Sequence, residues 1–150
     1  MAKTLQELTE NKRILLVGNS VEILQYNLKD KIESYDTIVR FGQGYPREEN
    51  IDRIGSRTDI WITGYLRQNF SRFFKDSLKL HNRCRIHMDK PAKAGDPEFE
   101  HITMFSDKEI LEINKELGVV EHEALGWRPS AGFWAILFFV RKCNYKSLTL

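Results

Sequence analysis

Arg13-Ile14-Leu15-Leu16-Val17-Gly18-Asn19-Ser20 and, further on, Thr37-Ile38-Val39-Arg40-Phe41 are the two segments between which the fold is decided. The first begins as a short apolar run closed by a glycine, the mark of a strand buried on both faces. Asn19 or Ser20 can cap a helix there, because a short polar side chain accepts a hydrogen bond from a free N–H of the first turn. Val21, Leu24, Leu28 and Ile32 recur at helical spacing, with Lys29, Asp30 and Glu33 off that face, so a helix through these residues is expected. Thr37 to Phe41 reads as a second strand. Strand, tight turn, helix, strand is a βαβ unit, and such a unit makes a parallel sheet.

The same alternation extends outward in both directions. Thr4-x-x-Glu7 is a capping box for a short N-terminal helix. Gly42 to Arg53 is a polar loop containing Gly and Pro, and Asp59 to Thr63 is a third strand. A helix is expected over Leu66 to Leu80 with Phe70, Phe73 and Phe74 inward, then a strand over Arg85 to Met88 and a loop over Asp89 to Phe99. Ser106-x-x-Glu109 caps a helix with Ile110, Ile113 and Leu117 on one face, stopped by Gly118. Phe133 to Val140 reads as a buried helix, apolar on every side, and Ser147 to Leu150 as a further strand. The expected fold is α/β, doubly wound, with a mostly parallel sheet and helices on both faces. Residues 1–150 are expected to form a single domain with residues 1–12 as an N-terminal extension. Because the chain stops within what reads as a strand, the domain is expected to be incomplete at its C-terminus.

Composition narrows the class. The chain is 41% hydrophobic and 29% charged, which suits a packed domain, and its net charge of +2 does not by itself point to nucleic acid. The polar start, Met1 to Glu7, lacks the apolar core of a signal peptide. Phe133 to Val140 is far shorter than the roughly 20 residues of a membrane span. Cys84 and Cys143 do not make a disulfide framework. A cytoplasmic protein without a membrane span is expected.

In an open α/β sheet, ligands bind at the carboxyl ends of the strands. The loops expected there are Gly18-Asn19-Ser20, Arg40-Phe41-Gly42, Thr63-Gly64 and the turn before Ser130. Gly18 lets backbone approach a ligand closely. Asn19 offers a donor and an acceptor, as a ribose or base edge requires. Ser130, with the N–H groups of Ala131 and Gly132 at the start of a helix, suits a phosphate. Each segment alone also reads as an ordinary helix cap. The Gly18 segment is neither a Walker A loop nor a G-x-G-x-x-G turn.

Taken together, the segments resemble the family 29 glycosyltransferases, the sialyltransferase-like enzymes. Leu16-Val17-Gly18-Asn19-Ser20, then Tyr35-Asp36 and Ile38-Val39-Arg40-Phe41-Gly42, resemble that family's long sialylmotif. Arg128-Pro129-Ser130-Ala131-Gly132 followed by Cys143 resembles its small sialylmotif. Ile54-Gly55-Ser56-Arg57-Thr58-Asp59 is similar to a segment between the two. The resemblance covers roughly residues 13 to 150. It implies a Rossmann-like sheet, a sialyltransferase-like variant of the GT-A type. It further implies inverting, metal-independent transfer of a sugar, such as sialic acid, from a CMP-activated donor to the hydroxyl of a glycan or other acceptor. The donor nucleotide would be held by Gly18, Asn19, Ser20, Arg40, Ser130, Ala131 and Gly132, with no cofactor and no metal.

The chain departs from the family's pattern in several places. The second Asn of the long motif falls near Gly42, Thr of the small motif is Ala131, and the long-motif cysteine falls at Ile14, which leaves Cys143 a free, buried thiol. These departures imply an intracellular microbial or viral version. The family's catalytic histidine lies beyond the small motif, so His81, His87, His101 and His122 inherit no role by position, and the catalytic base is unassigned. His81, Cys84 and His87 fall short of the four ligands of a zinc site. Two alternatives stay open: a nucleotide-binding module without catalysis, suggested by the missing base and second Asn, and a viral sugar transferase acting on nucleic acid. Arg67 to Arg85, basic with interleaved phenylalanines, motivates the second alternative, although at helical spacing the same pattern describes core residues and a solvated face.

Overall fold

A computed structural model describes residues 3–42, 44, 46–63, 80–87, 100–118 and 130–150. Six strands form one sheet: β1 (Arg13–Val17), β2 (Thr37–Phe41), β3 (Thr58–Thr63), β4 (Leu80–His87), β5 (Glu100–Thr103) and β6 (Ser147–Thr149). Their order is β5-β4-β3-β2-β1-β6, and every neighbouring pair is parallel. The chain steps from β1 to β5 in one direction and then returns to the far side of β1. The winding therefore reverses between β1 and β6, and the carboxyl end of β1 is where a ligand crevice is expected in such a sheet.

Alternate side chains feed two separate cores, as the period of a strand dictates. Ile14, Leu16, Val39, Phe41, Ile60 and Ile62 pack with Leu8 of α1 (Leu5–Thr9), Ile113 of α4 (Asp107–Glu116), and Ala135, Phe138 and Phe139 of α5 (Ala131–Lys142). Leu15, Val17 and Ile38 pack on the other face with Ile32 of α2 (Lys29–Glu33) and Ile54 of α3 (Ile51–Ile54). The fold is thus α/β, with helices on both faces of a parallel sheet. The first residues belong to this core: Leu8 is buried and its carbonyl accepts the Thr37 hydroxyl at 2.5 Å.

Local rules set the helix ends. Both capping boxes form: Thr4 with Glu7, and Ser106 with Glu109. Gly118 closes α4 with φ +65°, a conformation that costs glycine least. Ser130 caps α5, its Oγ accepting the N–H of Phe133 at 3.3 Å.

Several expectations are corrected. The helix expected from Val21 to Ile32 is two pieces, a 3₁₀ turn at Val21–Gln25 and α2, separated by an extended Tyr26. A tertiary partner breaks it: the Leu28 N–H donates to the Arg53 carbonyl at 2.8 Å, while Arg53 Nη1 donates to the Leu24 carbonyl at 3.1 Å. Val21 is consequently 76% exposed rather than core. Leu80 starts β4 instead of ending a helix, and α3 interrupts the loop expected over Gly42 to Arg53. The polar segment Glu100–Thr103 forms β5, which among the described strands pairs with β4 alone and needs no continuous apolar run. α5 is not buried all round, since Phe133 and Val140 are 36% and 55% exposed. Leu117, expected inward, is exposed, and Cys143 is half-buried. The expectations for residues 66–79 and 88–99, His122, Gly64, Arg128 and Pro129 lie outside the described residues.

One buried acid organises the β2–β3 contact. Asp59 is fully buried; its Oδ2 accepts the Ile38 N–H at 2.8 Å and Arg57 Nε at 3.2 Å. Replacing it with alanine strands both donors, so Asp59→Ala should lower unfolding free energy by about 3 kcal/mol, measured by urea denaturation. A loss under about 1 kcal/mol would contradict this account.

Acid sensitivity has a local source as well. The Arg13 guanidinium, followed by the Arg13 N–H, holds the Asp36 carboxyl below its ordinary range. The Ser106 N–H, followed by Lys142, does the same for Glu109. A pKa lowered in the folded state contributes stability above the unfolded carboxylate value of about 4, and that stability is lost as pH falls through the folded value. The melting-temperature gap between the wild type and Asp36→Asn should therefore be widest near neutral pH and shrink as pH falls towards 3. A gap that holds constant down to pH 3 would exclude Asp36 as a source.

Candidate functional site

A cavity of about 350 Å³ opens at the carboxyl end of β1, on the face that carries α2 and α3. One part of its wall is Val17, Gly18, Asn19, Ser20 and Val21, where the chain leaves β1. Ile23, Leu24 and Ile54 add aliphatic surface, and Arg40, Gly44, Arg47 and Asn50 come from β2 and the segment after it. Among the described lining residues none is acidic and two are arginines. The lining therefore favours an anion, with an aliphatic wall beside the cationic one.

Arg40 dominates the electrostatics. It lies next to the carboxyl end of β2, in register with Val17 on one side and Trp61 on the other. Its side chain is 0% exposed. Nη2 donates to the Ile54 carbonyl at 2.8 Å and Nε to the Arg57 carbonyl at 3.2 Å. Nη1 is buried without a hydrogen-bond partner. Burial pushes the guanidinium down to about 10, against the opposing pull of the Glu33 and Asp59 charges. It is still a cation at neutral pH.

The carbonyls that receive Arg40 belong to Ile54-Gly55-Ser56-Arg57, and that segment is tightly specified. Gly55 has φ +73°, and a Cβ there would lie 2.6 Å from Glu33 Oε1. The same Glu33 oxygen accepts the Ser56 N–H at 2.9 Å. Arg57 is tied to Asp59 and to the carbonyls of Glu33 and Tyr35. On the other side of the site, Trp61 Nε1 donates to the Gly42 carbonyl at 2.8 Å and fixes the start of the segment that carries Gly44, Arg47 and Asn50.

Four of the expected site residues, Gly18, Asn19, Ser20 and Arg40, thus share one cavity. Ser20 also caps the 3₁₀ turn, its Oγ accepting the Glu22 N–H at 3.3 Å. Ser130, Ala131 and Gly132 do not line the cavity; they begin α5, which packs on the opposite face of the sheet. His101 does not line it. The described residues contain no group of three or more His, Cys, Asp or Glu arranged to hold a metal. Among them, no helix is long and apolar enough to cross a membrane. Gly44, Arg47, Asn50 and Ile54 were not anticipated. Their signal was positional: they follow a strand at the end of the sheet where ligands bind. In comparisons with known proteins, no family model, no curated protein and no solved structure matches this chain.

Asn19 is shaped by Gly44. A Cβ on Gly44 would fall 1.8 Å from Asn19 Oδ1 and 3.1 Å from the Phe41 carbonyl oxygen. Gly44→Ala should therefore swing the exposed Asn19 carboxamide aside at a stability cost under about 1 kcal/mol. In ¹H–¹⁵N spectra the Asn19 side-chain amide should shift while the melting temperature moves little. An unchanged Asn19 resonance would show that the two residues do not touch.

Proposed function

We propose that this chain binds a CMP-activated sugar in the cavity beside Gly18 and transfers the sugar to a hydroxyl acceptor, as a cytoplasmic, sialyltransferase-like enzyme of Rossmann-like, GT-A-type fold. The observation that carries this proposal is that the Gly18-Asn19-Ser20 loop and Arg40, a fully buried cation whose Nη1 has no hydrogen-bond partner, belong to the lining of one cavity. A buried donor without an acceptor is costly, and a phosphate oxygen would complete it. In the transfer reaction, negative charge grows on the phosphate of departing CMP. A guanidinium held by two carbonyls beside the cavity would stabilise that charge electrostatically. Gly18 leaves the backbone close to the ligand, and Asn19 supplies a donor and an acceptor for the nucleoside. The N–H groups at the start of α5, beside Ser130, Ala131 and Gly132, form a second anion-favouring group on the other layer.

A second interpretation, a nucleotide-binding module without catalysis, is suggested by the sequence, in which the catalytic base is unassigned and the second Asn of the long motif is missing. Incubating the full chain with CMP-sialic acid and following CMP release separates the two, since a module releases none.

Binding itself is tested by thermal shift. CMP and CMP-sialic acid at about 100 times Kd should each add about 2.7 kcal/mol to unfolding free energy. If neither ligand moves the transition, the donor assignment fails.

A further inference from the structure

We propose that Asn50 recognises the heterocyclic base of the nucleotide bound in the Gly18–Arg40 cavity, an inference that rests on the donor-site proposal above. Asn50 occupies the position before α3, where an asparagine usually caps the helix by accepting an N–H from the first turn. Here it makes no such bond, and its backbone is helical (φ −113°, ψ −13°) rather than extended. Its backbone is nevertheless held firmly: its N–H donates to the Arg47 carbonyl at 2.8 Å, and its carbonyl accepts the N–H groups of Arg53 and Ile54 at 2.9 and 3.1 Å. The carboxamide makes no hydrogen bond to the described residues, and Asn50 lines the cavity.

Its surroundings suit a flat ring. Ile54 follows one helical turn later and lines the same cavity, with Val21, Ile23 and Leu24 completing an aliphatic surface. Aliphatic side chains cover the face of a base but cannot read its edge. A carboxamide can, because it presents one donor and one acceptor side by side, the complement of the adjacent donor and acceptor on a pyrimidine edge. The guanidiniums of Arg40 and Arg47 suit the phosphate instead, and they carry the charge that a neutral amide lacks. The lining therefore divides into groups for the two chemically different ends of one nucleotide. α3 is a four-residue helix, and it is the side chain of Asn50, not the end of a dipole, that makes the contact.

The test compares ligands with and without a base, using the full chain and isothermal titration calorimetry. CMP, UMP, AMP and ribose 5-phosphate are titrated into the wild type and into Asn50→Ala, with thermal melts confirming that both are folded. Asn50→Ala should weaken the best-bound nucleotide by about tenfold, the scale of one lost hydrogen-bonding partner, while changing ribose 5-phosphate affinity by less than about twofold. Equal weakening of nucleotide and ribose 5-phosphate would place Asn50 against the sugar or phosphate and overturn the proposal. Unchanged nucleotide affinity would overturn it alone, leaving the donor site standing. If no nucleotide binds the wild type, the donor site and the role of Asn50 fall together.

Discussion

The guanidinium of Arg40, fully buried on the sheet face that carries α2 and α3, is the constraint to which much of the neighbouring structure answers. Strand periodicity places Ile38 and Arg40 on the same side of β2, opposite Val39 and Phe41. A charge in that place loses its water and must find acceptors. Ile54 and Arg57 supply two carbonyls, and they can do so only because the chain turns at Gly55 with positive φ. Glu33 then receives Ser56, and Asp59 receives Arg57. Removing one link should disturb the others, since networked groups do not act independently.

Such a network is a weak way to gain stability. A well-packed apolar side chain in place of a buried ion is often neutral or stabilising. The arrangement makes better physical sense as a means of holding a cation rigidly where a strand meets a cavity. One guanidinium nitrogen is left over after the two carbonyls are satisfied, and the cavity wall adds Arg47 but no described carboxylate. The break between the 3₁₀ turn and α2 contributes the other half of the wall. A continuous helix through Val21 to Ile32 would have turned its apolar stripe into the sheet; the break instead leaves Val21, Ile23 and Leu24 lining the cavity.

The strands that carry the site were legible because their signals are local. Arg13–Val17 and Thr37–Phe41 are uninterrupted runs bounded by turn residues, and their limits follow from composition alone. Both capping boxes were legible for the same reason: donor and acceptor lie three residues apart. What was not legible depends on partners distant in sequence. The helix after Ser20 ends because Arg53 competes for Leu28, and no window around Leu28 contains that residue. β5 is a strand because β4 offers it an edge, not because Glu100–Thr103 favours one. At the site, Gly18 and Asn19 announced themselves by following a strand. Asn50 did not, because it resembles an ordinary helix cap until its unused side chain is placed against the cavity.

The two halves of the signature, the Gly18 loop and the Ser130 turn, belong to different layers, and this limits how one ligand can use both. The cavity faces the layer of α2 and α3, whereas α5 packs with Leu16, Val39 and Ile60 on the reverse of the sheet. A parallel sheet gives no passage between its faces except around the ends of its strands. A nucleotide anchored beside Arg40 could meet the start of α5 only by extending past the carboxyl end of β1, where the winding reverses towards β6. In that geometry a nucleotide's base and phosphate would be held on one layer, and whatever the phosphate carried would project over the rim towards the other. The N–H groups at Ala131 and Gly132 would then face the transferred group, not the nucleotide, and Ser130, whose hydroxyl already caps its own helix, would contribute mainly by keeping those donors aligned.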